Sequence, residues 1–138
     1  MTIDYRDEWV LSGTNRGSWY SEIRERFIER LRVRPDLVVI SSVESMSLRH
    51  VQLSWFGTAE IRGVLTEAAH AAGVAAELRS KADITRALNP PRKKGDPKQR
   101  PGADFEEDEA FWSSVFSGTL QKKYRQAALL AYSRAVQS

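Results

Sequence analysis

Residues 34–46 read RPDLVVISSVESM, residues 50–74 read HVQLSWFGTAEIRGVLTEAAHAAGV, and residues 79–88 read RSKADITRAL. Pro35-Asp36 breaks what precedes, and Leu37 to Ile40 is an unbroken apolar run. A run without alternation predicts a strand covered on both faces, as in parallel α/β sheets. The segment from about His50 to Ala72 favours helix, with Gly57 and Gly63 as its points of irregularity. Within it, Ile61, Val64, Leu65 and Ala68 recur at helical spacing. Gly73 supplies the left-handed residue that ends the helix, and Val74 to Leu78 predicts a short strand. Ser80 with Asp83 resembles a capping box, aspartate standing in for the usual glutamate. The helix it opens must stop at Asn89-Pro90-Pro91.

Before this block, Thr2 to Ser12 alternates, with Ile3, Tyr5, Trp9 and Leu11 on one parity. That pattern predicts a half-buried strand, or a tight hairpin around Arg6-Asp7. Residues 12–17 read as a turn, followed by a helix with Ser18 as its N-cap. Tyr20, Ile23, Phe27, Ile28 and Leu31 form its apolar face. After the block, residues 91–103 read as a mobile basic loop carrying Arg92, Lys93, Lys94, Lys98 and Arg100. Asp104 to Glu109 is acidic, which suits the positive end of a helix dipole. The last helix places Leu120, Tyr124, Ala127, Ala128, Ala131 and Ala135 on one side, with Lys122, Lys123 and Arg125 just before its most apolar turns. Strand, helix, strand, helix, strand, helix, loop, helix predicts an α/β fold in one domain over 1–138.

The 138 residues suffice for one domain with a hydrophobic core, and 41% hydrophobic with 28% charged residues is ordinary for a soluble globular chain. There are no cysteines, which excludes thiol chemistry, disulfides and cysteine-based zinc sites. Two histidines are too few for a histidine-rich metal centre. A divalent cation would need carboxylates, which suits magnesium or manganese. A net charge of +3 and a pI of about 9.4 favour an anionic partner. No apolar run approaches the ~20 residues of a membrane span and the start does not look like a signal peptide, so the expectation is a cytoplasmic protein with no membrane partner. Gly57, Gly63 and Gly95 lack the spacing of a phosphate-binding P-loop.

The strings RPDLVVIS (34–41), WFGTAEIRGVLTEAAHAAGV (55–74), KADITRAL (81–88) and QAALLAYSRA (126–135), in this order and spacing, resemble the RuvC-like resolvases, including versions found in phages. The resemblance covers most of the chain from Arg34 onward. It implies an abbreviated ribonuclease H-like mixed sheet with helices packed on it, a nucleic-acid partner (DNA rather than RNA), and a homodimer. Family members cut DNA with carboxylates that hold two divalent ions, which clamp the scissile phosphate and activate water. The family's first strand begins with an aspartate in a short glycine-containing motif. Its strand matching Leu37 to Ser41 ends in a glutamate, and its last helix supplies one or two aspartates.

This chain departs at each place. Thr2-Ile3-Asp4 is the nearest echo of the first motif, Ser41 holds the glutamate position, and Gln126, beside Arg125, falls where the last helix would carry an aspartate. The departures imply a nucleic-acid-binding pseudoenzyme that needs no cofactor. The alternative is an active magnesium- or manganese-dependent Holliday-junction resolvase or endonuclease with relocated acids, for which Glu44 and Asp4 are the catalytic candidates. Glu44 lies an odd offset beyond Ser41, on the opposite face of a regular strand, and Asp4 on a polar face is most simply exposed. The acids from Asp104 to Glu109 are either metal ligands or a helix start. His50 and His70 suit capping or surface roles, and Trp55-Phe56 suits core packing better than base stacking. Arg92, Lys93, Lys94, Lys98, Arg100, Lys122, Lys123 and Arg125 are the candidates for phosphate contacts, which need charge but read no sequence. A third reading is a structural or assembly protein that pairs through an open sheet edge and the Trp-containing helix.

Overall fold

The computed structural model of the chain describes residues 9–42, 53–118 and 120–137, and the backbone alone at 53–58 and 123. The described elements are α1 (Arg16–Arg30) with a 3-10 turn (Leu31–Val33), β1 (Val38–Ser41), α2 (Leu53–Ala71), β2 (Ala76–Arg79), α3 (Lys81–Leu88), α4 (Gly102–Glu107), α5 (Glu109–Val115) and α6 (Lys122–Gln137). They form two compact units, one of Glu8–Leu78 and one whose described residues run from 79 to 137. The fold is the expected mixed α/β type, with a small parallel sheet and a majority of helix. Among the described residues the sheet has two strands, β1 beside β2, where three were expected. Residues 9–12 of the anticipated N-terminal strand are not strand, and its remainder lies outside the described residues. No helix among the described residues is long and apolar enough to cross a membrane.

In the first unit, α1 starts earlier than expected. Asn15, not Ser18, is the N-cap. The Asn15 side chain accepts from the Ser18 N–H at 2.9 Å while the Asn15 N–H donates to the Ser18 hydroxyl at 3.3 Å, so Ser18 is the reciprocating residue one turn in. Ile23 and Leu31 of the predicted apolar face are buried, and Tyr20, Phe27 and Ile28 half-buried. Leu31, Ala69 and Val74 form a core cluster with Phe27, Val38 and Ala72 packed against it.

The turn from α2 into β2 follows from Gly73. Its φ of 72° is the left-handed conformation that glycine adopts without a Cβ penalty. The Gly73 N–H then donates to His70 and the Val74 N–H to Ala69, the paired bonds of a Schellman motif. The next residues are thereby delivered beside β1, where the Val38 N–H donates to the Ala75 carbonyl at 2.9 Å. A parallel pair needs such a crossover connection, here α2.

In the second unit, Asp83 caps α3 as the sequence anticipated. Its carboxylate accepts from the Ser80 N–H at 2.7 Å and from the Ser80 hydroxyl at 3.2 Å. α3 packs on α6 and on α4. The start of α4 comes so close to α3 that a Cβ on Gly102 would stand 2.9 Å from the Lys81 carbonyl oxygen. Trp112 stacks on Phe116 with centroids 4.3 Å apart, and the Trp112 indole N–H donates to the Phe105 carbonyl at 2.9 Å.

The buried face of α6 differs from the one expected. Leu129, Leu130 and Ser133 are buried, whereas Ala127, Ala131 and Ala135 are exposed. Burial is favourable in proportion to apolar area, so two leucines orient the helix against a longer stripe of alanines. Leu129→Ala should therefore cost about 2–5 kcal/mol in chemical denaturation. Ala131→Gln, on the face first expected to be core, should stay within about 0.5 kcal/mol.

Candidate nucleic-acid interface

Two places carry the residues singled out by sequence, one in each unit. The first is the C-terminal end of β1, where a run of branched side chains stops at Ser41-Ser42. Both serines are half-buried. Arg62, on α2, reaches this strand end: its Nε donates to the Ser41 carbonyl, and its Nη2 lies 3.3 Å from the Ser41 hydroxyl. Burial lowers the pKa of the Arg62 guanidinium, yet an arginine stays charged at any ordinary pH. Sequence reasoning missed Arg62. The available signal was a guanidinium beside Ile61, on a helix whose neighbouring positions are apolar.

A divalent ion of the family type needs converging carboxylates. At the described end of β1 the donors are serine oxygens already engaged by a fixed positive charge, which does not fit such an ion. Among the described residues there is no group of three or more His, Asp or Glu side chains able to hold a metal. Glu44, Asp4 and His50 lie outside the described residues. Gln126 is half-buried on α6, and His70 is exposed in the last turn of α2. Trp55 and Phe56 lie on α2, with only their backbone described.

The second place is the basic loop and the helices after it. Here the acidic segment and several of the basic candidates meet one another. Asp108 caps α5 by accepting from the Phe111 N–H at 3.0 Å, and it pairs with Arg100 at 2.8 Å. The Arg100 guanidinium also lies 4.5 Å from the Phe105 ring centre. Lys122 pairs with Glu107 at 2.7 Å. Arg125 is only 7% exposed: it makes a two-pronged contact with Glu109 at 2.9 and 3.1 Å, donates to the Glu106 carbonyl at 2.7 Å, and lies 4.9 Å from the Trp112 ring centre. The Arg125 guanidinium thus serves the packing of α4, α5 and α6 and offers little to a ligand. Among the described residues, one buried carboxylate oxygen of Glu106 has no hydrogen-bond partner.

The lysines of the loop differ. Lys93, Lys94 and Lys98 are exposed, and no ion pair holds any of them among the described residues. Arg92 is also exposed and donates to the Asp96 carbonyl at 3.2 Å. Of Lys123 only the backbone is described. The uncommitted positive charge of this unit is therefore concentrated between Arg92 and Lys98.

With this geometry in view, comparison with solved structures finds a RuvC structure from Thermus thermophilus. It is matched with a TM-score of 0.58 at 19% identity, over 89% of this chain and 72% of that one. The fold is RuvC-like. No family model matches the chain. No curated protein matches it either. Within this RuvC-like fold, Ser41 and Arg62 sit at the strand end where the resemblance anticipated an acid.

The ion pairs of the second unit set a pH dependence. The cap on the Phe111 N–H, and then Arg100, hold the Asp108 carboxyl below its usual range; Arg125 does so for Glu109, and the Ser80 N–H for Asp83. Each group binds its proton less readily in the folded chain than in the unfolded one, so the unfolded state takes up more protons on acidification. Their stabilisation is complete above the ordinary carboxylate value of about 4 and is lost as pH falls through the depressed values. Thermal melts should show the midpoint level from neutrality to about pH 5 and falling below about pH 4, with a shallower fall in Asp108→Asn.

Proposed function

We propose that this chain is a RuvC-like nucleic-acid-binding domain over 1–138, its two compact units belonging to that one domain, that lacks the family's metal-holding carboxylates and does not cut its substrate. The observation that carries the reading is the Arg62 guanidinium set against Ser41 at the end of β1. A positive charge there repels the cation that metal-dependent cleavage needs. Binding then falls to the exposed Arg92, Lys93, Lys94 and Lys98. Such contacts engage phosphates without reading sequence. The resemblance to the resolvases favours DNA over RNA and a homodimer, and it includes the phage-borne forms; a cytoplasmic setting is part of the proposal.

Binding to a labelled DNA duplex should weaken steeply with salt, because neutralised phosphates release counterions. Changing Lys93, Lys94 and Lys98 together to Ala should weaken binding and reduce the slope of log affinity against log salt by about 2–3. No affinity at low salt would sink the proposal. Incubation of branched or single-stranded DNA with magnesium or manganese should leave it intact. Cleavage abolished by Glu44→Gln or Asp4→Asn would instead establish an active enzyme with relocated acids. A monomer in light scattering would remove the dimer from the proposal.

A further inference from the structure

The segment between α3 and α4 is basic, and it is also closed by one side chain. The Asn89 amide nitrogen donates to the Arg100 carbonyl at 2.8 Å and to the Thr85 carbonyl at 2.8 Å, while its amide oxygen accepts from the Arg100 N–H at 3.0 Å. The two bonds to residue 100 imitate the exchange that paired strands make through their backbones. Just beyond, the Gly102 N–H donates to the Thr85 hydroxyl at 2.9 Å. The interior of the loop is organised as well. The Asp96 carboxylate accepts from the Lys93 N–H at 2.6 Å, the Asp96 N–H donates to the Lys93 carbonyl at 3.0 Å, and Gly95 takes a φ of 89° within this turn. Pro90, Pro91 and Pro97 narrow the remaining backbone freedom.

We infer that Asn89 is a positioning residue for phosphate binding. Its bonds to Arg100 preform the loop, so that Lys93, Lys94 and Lys98 meet a nucleic-acid backbone already arranged. The inference rests on the nucleic-acid reading above and adds a cause of affinity that charge alone does not supply. Ordering a free loop on binding has an entropic cost that subtracts directly from affinity. A loop ordered beforehand avoids it.

Asn89→Ala removes no charge and no phosphate contact. With a labelled DNA duplex as probe, it should weaken binding about three- to tenfold, as expected when a loop must be ordered on binding. The slope of log affinity against log salt should stay that of the parent protein, because the slope counts phosphate contacts. A general loss of folding would instead appear as a lower melting temperature and a smaller active fraction. Unchanged affinity in Asn89→Ala, or a changed slope, overturns the inference while leaving the nucleic-acid reading intact. Unchanged affinity in the triple lysine variant overturns the nucleic-acid reading itself, and the positioning role with it. Hydrogen exchange on the unaltered protein gives a check that needs no variant. The Arg100 and Lys93 amides should be protected in the free protein, and exchange at unfolded-chain rates would overturn the inference.

Discussion

A guanidinium drawn out of water favours partners for its donors, and under that constraint the buried Arg125 and the half-buried Arg62 each shape one unit of this protein. An arginine cannot escape burial by becoming neutral, as a lysine does by losing a proton or a carboxylate by taking one up. Arg125 meets the requirement with a carboxylate, backbone carbonyls and the face of Trp112. It thereby holds the start of α6 to α4 and α5. Arg62 meets it at the end of β1 with the carbonyl and hydroxyl of Ser41. In one unit the constraint organises packing, and in the other it sets a positive charge at a strand end.

The same logic sorts the remaining charges. Asp108, Glu109 and Glu107 are each claimed by a basic partner, which removes Arg100, Arg125 and Lys122 from the pool of free cations. The more exposed of these pairs, Arg100–Asp108 and Lys122–Glu107, contribute little stability individually. Their larger effect is on distribution, because among the described residues Lys93, Lys94 and Lys98 stay exposed with no ion pair. A modest net charge of +3 thus hides a local basic face. Local fields, more than net charge, attract an anionic polymer.

Much of the fold was legible wherever a local rule coincided with tertiary demand. The strand at Leu37–Ile40, the helix ended by Gly73, the Ser80–Asp83 cap and the stop at Asn89-Pro90-Pro91 all appear within a residue or two of expectation. Misreadings arose where two local signals competed. Asn15 displaced Ser18 as the cap of α1 because the pair can reciprocate, and Leu129-Leu130 displaced the alanine stripe of α6. Of the candidate site, the basic loop was visible as composition. Its closure by Asn89 was not, because a side chain that bonds residue 100 shows no spacing rule.

The sequence by itself determined the α/β order, the likeness to the RuvC fold and the absence of an acid at Ser41, since each depends on residue type, period and order along the chain. Only the tertiary structure decided which charges are spent and which are offered. Arg62 lies 21 positions from Ser41 and Arg125 lies 16 from Glu109. Electrostatic partnership depends on distance in space, and folding alone brings such residues within reach.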